Sequence, residues 1–183
     1  MKPVAPLTKH GILLFENVFD PTEHLRFLAK QDWVDVGQNA LYLKHEVDGS
    51  QYLFASLHTE FFDLVNFADD FYQCHHYRFR HQDKKFAHRK SSGKTVFMHP
   101  HVDAPTAPPE VNDPDDFTTV IVYINDGYKG GKLIVDTGRF GKKVALQPKA
   151  GSVVMLDKGT RHGVSKGRDD RDRIVAVTHI WRD

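Results

Sequence analysis

His101, Asp103 and His162 are the residues whose types and spacing could hold a catalytic metal ion. Side chains two residues apart on an extended segment point to the same side, so His101 and Asp103 can present a nitrogen and an oxygen to one point. His162 would join them from a second segment, because a strand is predicted to begin there. Two imidazoles and one carboxylate are the ligand set of a non-haem Fe(II) facial triad, which leaves coordination positions open for chemistry.

His99 is an alternative ligand, because it shares the predicted face of His101 and Asp103. A His-x-His pair is typical of a cupin-type site, which also needs a glutamate four or five residues further on. Residues 104–106 are Ala-Pro-Thr and supply no such ligand. A lone H-x-D pattern is weak, but here it precedes several predicted strands, a second histidine and an arginine on the last strand. This order favours His101 with Asp103.

Arg173 begins the final alternating segment of the chain, which is predicted to be a strand. If Val175 and Val177 line a barrel interior, Arg173 also points inward, and a buried guanidinium requires an anionic partner. A small dicarboxylate would be such a partner, and Tyr123 could donate a hydrogen bond to the same carboxylate. The pattern does not exclude that Arg171 and Arg173 form a solvated pair among nearby aspartates, or that Tyr123 is a core aromatic residue.

Length and charge restrict the class of protein. The 183 residues suffice for one domain with a full hydrophobic core, and the formal net charge of +1 gives no reason to expect a nucleic acid or an anionic membrane as partner. Cys74 is the only cysteine, so no disulfide framework is expected and the cytoplasm is the predicted compartment. No apolar stretch follows a basic start, so neither a signal peptide nor a membrane span is expected.

The predicted elements are helical at the start and β-rich afterwards. A short strand at residues 11–15 precedes a helix from about Pro21 to Gln31, which begins at Asp20-Pro21-Thr22-Glu23. A second helix would carry apolar residues between Leu57 and Ala68 on one face. Short strands punctuated by turns then predict an all-β barrel or sandwich. These strands are expected at residues 75–80, 118–124, 132–136, 143–146, 152–156 and 173–181.

Much of the chain resembles the prolyl-4-hydroxylase-type 2-oxoglutarate/Fe(II) dioxygenases, which include the hypoxia-sensing prolyl hydroxylases. The matching segments occur in the order of that family and cover well over half of the chain. They are Tyr77-Arg78, His101-Val102-Asp103, residues 119–125, Gly130-Gly131-Lys132-Leu133, residues 148–151, His162 and residues 173–181.

The resemblance implies a mainly β fold, a double-stranded β-helix (jelly-roll, cupin-like) core backed by N-terminal α-helices. Residues 1–183 would form a single dioxygenase domain, with a strand and supporting helices in residues 1–73 and the β core in residues 74–183. The resemblance also implies Fe(II) on His101, Asp103 and His162, and it assigns the distal carboxylate of 2-oxoglutarate to Arg173 and Tyr123.

Two further residues follow from the resemblance. Tyr77 matches a family tyrosine that lines the 2-oxoglutarate pocket. The gap between His162 and Arg173 is slightly longer than the family's, which leaves Arg171 as a stand-in for the carboxylate-binding arginine. The match of Arg173-Ile174-Val175 to the final strand of the family favours Arg173.

The expected reaction is hydroxylation of a C–H bond with O₂, Fe(II) and 2-oxoglutarate, with succinate and CO₂ as coproducts and ascorbate as an optional reductant. A prolyl residue of a peptide or protein is the leading substrate, and a free amino acid or small metabolite is the alternative. The residues are also compatible with a cupin dioxygenase that needs no 2-oxoglutarate, and with a non-catalytic metal-binding β-barrel module.

Nucleic acid is disfavoured as a substrate, although residues 80–94 are basic. Nucleic-acid oxygenases carry a second arginine six residues after the first on the final strand, and this chain has His179 there. His179 is interpreted as structural or solvent-facing. The basic stretch and the Pro- and Asp-rich residues 104–116 flank the metal motif, where substrate-covering loops are expected.

Overall fold

A computed structural model describes residues 11–35, 41–43, 71–73, 78–82, 96–107, 109, 111–137, 142–166 and 172–182. In this part of the chain the secondary structure is almost entirely β, with a single short helix. The elements are β1 (Ile12–Phe15), α1 (Thr22–Leu28), β2 (Trp33–Asp35), β3 (Leu41–Leu43), β4 (Phe71–Gln73), β5 (Arg78–Gln82), β6 (Val96–His101), β7 (Phe117–Tyr123), β8 (Leu133–Asp136), β9 (Lys143–Leu146), β10 (Ser152–Asp157), β11 (His162–Ser165) and β12 (Arg173–Arg182).

The strands form two antiparallel sheets. The larger has the order β1-β10-β7-β12-β5-β3-β2, with β4 also paired to β12, and the smaller has the order β6-β11-β8-β9. Few neighbours in either sheet are consecutive in the chain, so the connections cross between the sheets, as in a jelly roll. The prediction of a mainly β fold with a double-stranded β-helix core is confirmed. The predicted second helix lies outside the described residues.

The hydrophobic core has two layers because alternate residues of the large sheet face opposite ways. Val120 and Val122 of β7 pack on the outer layer, which α1 covers through Leu28. Ile121 and Tyr123 of the same strand pack on the inner layer, between the two sheets. The odd-numbered residues of β7 and β12 and the even-numbered residues of β10 therefore face the space between the sheets.

Helix α1 ends earlier than the sequence pattern predicts. The helix closes at Leu28, and the amides of Lys30 and Gln31 bond to carbonyls only three residues back, at 3.1 and 3.2 Å. The predicted end at Gln31 is therefore wrong by about one turn, because the last residues tighten into a turn that leads to β2. Within the described residues, no helix has both the length and the apolar composition that are needed to span a membrane.

Candidate metal and cosubstrate site

The predicted metal ligands come together where β6 and β11 pair. His101 ends β6 and His162 begins β11, and the two lie directly opposite each other in the ladder. Asp103 follows β6 after one exposed residue, Val102. Donor atoms of the three side chains all lie within 4.8 Å of one another, and among the described residues these three form the one group of this kind that could hold a metal ion.

The separations of these atoms suit an octahedral ion. Three mutually cis ligands that each lie about 2.1 Å from a metal are about 3 Å apart. The distance from His101 Nε2 to Asp103 Oδ1 is 3.2 Å, and the distance from His162 Nε2 to Asp103 Oδ2 is 3.6 Å. The side chains therefore need little rearrangement to bind a metal together.

Backbone carbonyls orient both imidazoles. His101 Nδ1 lies 2.9 Å from the carbonyl oxygen of His99, and His162 Nδ1 lies 3.1 Å from that of Thr160. A carbonyl oxygen can only accept, so each Nδ1 carries the hydrogen and each Nε2 keeps a lone pair for a metal. The backbone of His99 thus supports the site, while its side chain is exposed and lies outside the group of three donors.

Two more side chains contact Asp103 from the large sheet. Thr119 Oγ1 donates to Oδ2 at 2.8 Å, and His179 Nε2 lies 3.6 Å from the same oxygen. Thr119 and His179 are directly opposite each other on β7 and β12. The interpretation of His179 as a residue without a role does not anticipate this contact. The sequence feature that could have indicated it is strand parity, because His179 shares the inward face of Arg173, Val175 and Val177.

The Asp103 carboxylate is stabilised in its ionised form. Burial alone would raise the pKa of Asp103, but the histidines around it and the Thr119 hydroxyl outweigh burial and bring the pKa well below its ordinary value. A deprotonated carboxylate next to neutral imidazoles is the state that binds a divalent cation.

Arg173 lies on the inner face of the large sheet, as predicted, and is only 3% exposed. Its Nη2 donates to the Tyr123 hydroxyl at 3.3 Å, and its guanidinium carbon lies 5.2 Å from the centre of the Tyr123 ring. The Tyr123 hydroxyl accepts from Arg173 in this pair, so its own hydrogen is available to an anion. Gly131 makes room for the arginine, because a Cβ there would come within 3.1 Å of Arg173 Cδ.

Asn125 fixes the backbone on both sides of Arg173. Its Nδ2 donates to the carbonyl of Asp172 at 2.9 Å, and its Oδ1 accepts from the amide of Ile174 at 2.7 Å. One side-chain amide therefore holds the start of β12 beside the end of β7. This contact sets the position from which the Arg173 side chain enters the space between the sheets.

Tyr128 belongs to the same cluster and was not anticipated from the sequence. It is buried, and its hydroxyl makes no hydrogen bond within the described residues. Burial raises the pKa of Tyr128 to about 12, although the nearby positive charge of Arg173 opposes the shift. Burial likewise raises the pKa of Tyr123 against the same opposing charge. Both phenols are therefore neutral hydrogen-bond donors at physiological pH.

The buried polar atoms around Arg173 fit a small anion. Besides the Tyr128 hydroxyl, the buried Ser152 Oγ has no hydrogen-bond partner in the described part of the chain. Ser152 lies directly opposite Tyr123 on β10, on the same face of the sheet. Buried hydroxyls without partners are costly, so the Tyr128 hydroxyl near the Arg173 guanidinium fits a site that binds a carboxylate. Tyr77 and Arg171, the other predicted residues of this site, lie outside the described residues.

A family model described as the 2OG-Fe(II) oxygenase superfamily matches residues 62–181. The chain belongs to this superfamily. It is therefore an oxygenase that uses Fe(II) and 2-oxoglutarate, as the sequence predicted. Comparison with curated proteins gave no match.

Several solved structures share the fold at low sequence identity. HygX from Streptomyces hygroscopicus, solved with nickel and 2-oxoglutarate bound, is 15% identical with a TM-score of 0.67, covering 96% of this chain and 84% of that one. The epimerase SnoN from nogalamycin biosynthesis is 17% identical with a TM-score of 0.65, covering 97% and 80%. A prolyl hydroxylase from Trichoplax adhaerens, in complex with a hypoxia-inducible-factor peptide, is 15% identical with a TM-score of 0.61, covering 96% and 84%.

Proposed function

We propose that this oxygenase hydroxylates a prolyl residue of a peptide or protein, with Fe(II) on His101, Asp103 and His162 and the distal carboxylate of 2-oxoglutarate on Arg173 and Tyr123. The observation that carries the assignment of the site is the approach of the three donor groups to within 4.8 Å of one another, in a chain whose family requires such a centre. Two neutral imidazoles and one carboxylate leave a bound Fe(II) one net positive charge and open positions for other ligands.

Arg173 and its two tyrosines would hold the cosubstrate. A charge-assisted hydrogen bond from a buried guanidinium is roughly twice as strong as a neutral one, and the fork geometry of the group matches a carboxylate. Tyr123 and Tyr128 would add one neutral donor each. A carboxylate of 2-oxoglutarate would therefore meet one cationic and two neutral donors, all of them buried.

When bound, Fe(II) supplies together with 2-oxoglutarate and O₂ the oxidising power for an unactivated C–H bond. The residues of the chain orient the reactants and keep the site dry. His162 and Arg173 are buried, whereas the His101 side chain is 34% exposed and Val102 is exposed. A substrate would therefore approach from the side of His101 and Val102, opposite the buried carboxylate-binding end.

The prolyl assignment is supported by the motif resemblance and by the shared fold with a prolyl hydroxylase solved with a bound peptide. A small-molecule substrate is the second candidate, because HygX has the same fold and was also solved with hygromycin B bound. The two candidates differ in what must reach the open side of the site, a residue within a chain or a free metabolite.

Turnover measurements separate these candidates. We expect the purified protein, with Fe(II), 2-oxoglutarate and ascorbate, to form succinate in the presence of proline-containing peptides and to add one oxygen atom to the peptide, as seen by mass spectrometry. The Asp103→Ala protein is the matched inactive control. Oxygen gain on free amino acids or other small molecules, with none on any peptide, would replace the prolyl assignment by the second candidate.

A Tyr128→Phe variant tests the third donor of the proposed carboxylate site. One hydrogen bond to a charged group contributes about 1.5–3 kcal/mol, so the dissociation constant of 2-oxoglutarate should rise by roughly 10- to 100-fold. Thermal stability without 2-oxoglutarate should not fall, since the lost hydroxyl has no described partner. The measurement is anaerobic calorimetric titration of 2-oxoglutarate into Mn(II)-loaded protein.

The control is Tyr72→Phe, the same substitution on β4. The backbone of Tyr72 pairs with that of Trp181, at the opposite end of β12 from Arg173. This variant should bind 2-oxoglutarate as the parent protein does. Equal affinity of the Tyr128→Phe and parent proteins would remove Tyr128 from the site.

A further inference from the structure

We infer that Thr119 and His179 are positioning residues for the carboxylate ligand: they contact Oδ2 of Asp103 and fix the orientation in which the carboxylate meets the two ligand histidines. This inference rests on the proposed role of Asp103 as a metal ligand. It assigns roles to two side chains that lie outside the triad and outside the cosubstrate site.

The two oxygens of Asp103 have different surroundings. Oδ2 accepts from Thr119 Oγ1 at 2.8 Å and also lies 3.6 Å from His179 Nε2. Oδ1 has one described contact, at 3.2 Å to His101 Nε2, which is itself a proposed ligand atom. The described contacts from the large sheet are therefore all to Oδ2, which also lies 3.6 Å from Nε2 of the ligand His162.

His179 is well placed to keep this orientation. Its ring packs edge-on to Phe117 at 5.8 Å and lies 6.2 Å from the ring of Trp181. The Trp181 indole is in turn fixed by donating to the carbonyl of Pro114 at 3.1 Å. His179 Nε2 is buried and within the described residues makes no hydrogen bond. A shift of about 0.5 Å in the carboxylate would bring Oδ2 within hydrogen-bonding distance of it.

The orientation of a carboxylate ligand affects how tightly a metal is bound, because outer hydrogen-bond partners fix the ligand and tune its basicity. Thr119 and His179 would therefore affect the affinity for a metal that they do not themselves contact.

The test uses Thr119→Val, His179→Leu and the conservative His179→Gln, whose side-chain amide keeps a donor. Loss of an outer partner of a ligand typically weakens metal binding by about 10- to 100-fold. We expect the Thr119→Val and His179→Leu proteins to bind Mn(II) about 10-fold or more weakly by calorimetry, with His179→Gln close to the parent. The visible absorption of bound Co(II), which reports coordination geometry, should change in the Thr119→Val and His179→Leu proteins only.

Thr118→Val is the matched control, because Thr118 neighbours Thr119 on β7 but faces the opposite side of the sheet. It should leave Mn(II) affinity and the Co(II) spectrum unchanged. Melting temperatures are measured for every variant, and Thr119→Val keeps the test decisive if His179→Leu disturbs the aromatic packing. Parent-like Mn(II) affinity and Co(II) spectra in Thr119→Val would overturn the inference. A parent protein that binds no Mn(II) would instead reject the proposed metal site.

Discussion

The Asp103→Ala protein is expected to lose metal binding and, with it, all oxidation of substrate. Asp103 supplies the only negative charge among the three proposed ligands, and its donor atoms lie 3.2 and 3.6 Å from those of the two histidines. Removing an outer partner of a ligand already costs about 10- to 100-fold in metal affinity, so removing the carboxylate itself should raise the dissociation constant of Mn(II) by at least roughly 100-fold. Calorimetric titration of the metal-free protein with Mn(II) measures this change.

The fold should survive the substitution, because Asp103 lies beyond the end of β6 and holds no ladder hydrogen bond. Asp115→Ala is the matched control, since Asp115 is an exposed aspartate of the same connection to β7. It should bind Mn(II) like the parent protein. Retained tight binding of one Mn(II) in a folded Asp103→Ala protein would show that the metal is held elsewhere.

The Arg173→Met protein is expected to bind 2-oxoglutarate more weakly by roughly two orders of magnitude or more. Arg173 is 3% exposed, so a bound dicarboxylate would have a desolvated cation as its partner. Removing one member of a buried ion pair leaves the other charge unpaired and costs about 3 kcal/mol or more. This corresponds to a factor of about 100 or more in affinity. The measurement is titration of 2-oxoglutarate into Mn(II)-loaded protein, and the affinity for Mn(II) itself should stay unchanged.

Two variants accompany this experiment. Arg161→Met removes an exposed arginine next to His162 and should leave 2-oxoglutarate binding intact. Arg171→Met tests the stand-in that shares strand parity with Arg173. Loss of 2-oxoglutarate binding in Arg171→Met, with parent-like binding in Arg173→Met, would transfer the carboxylate-binding role to Arg171.

Much of the candidate site could be predicted from the sequence because its residues obey strand periodicity. The spacing of His101 and Asp103 places both side chains on one side of an extended segment, and the alternation after Arg173 places that residue on the inner face. The order of these motifs along the chain then indicates the family. Periodicity gives the face on which a side chain lies, however, and not the residue that it meets.

His179 and Tyr128 are residues of the site whose contacts the sequence pattern did not predict. His179 has the inward parity of β12, but its contact with Asp103 depends on the pairing of β12 with β7, whose residues lie about sixty positions away in the chain. Tyr128 lies in the irregular segment after β7 and belongs to no periodic element, so no pattern indicated that it is buried beside Arg173. The second helix, the role of Tyr77, the single-domain organisation and the cytoplasmic location stay predictions.

The double hydrogen bond of Asn125 has a consequence for how the chain tolerates change in length. Asn125 hydrogen-bonds to the backbone of Asp172 and Ile174, at the end of the connection between His162 and Arg173. Residues added to that connection would precede these hydrogen bonds, so they need not move the Arg173 guanidinium. A connection longer than is usual for the family is therefore compatible with an unchanged position of Arg173.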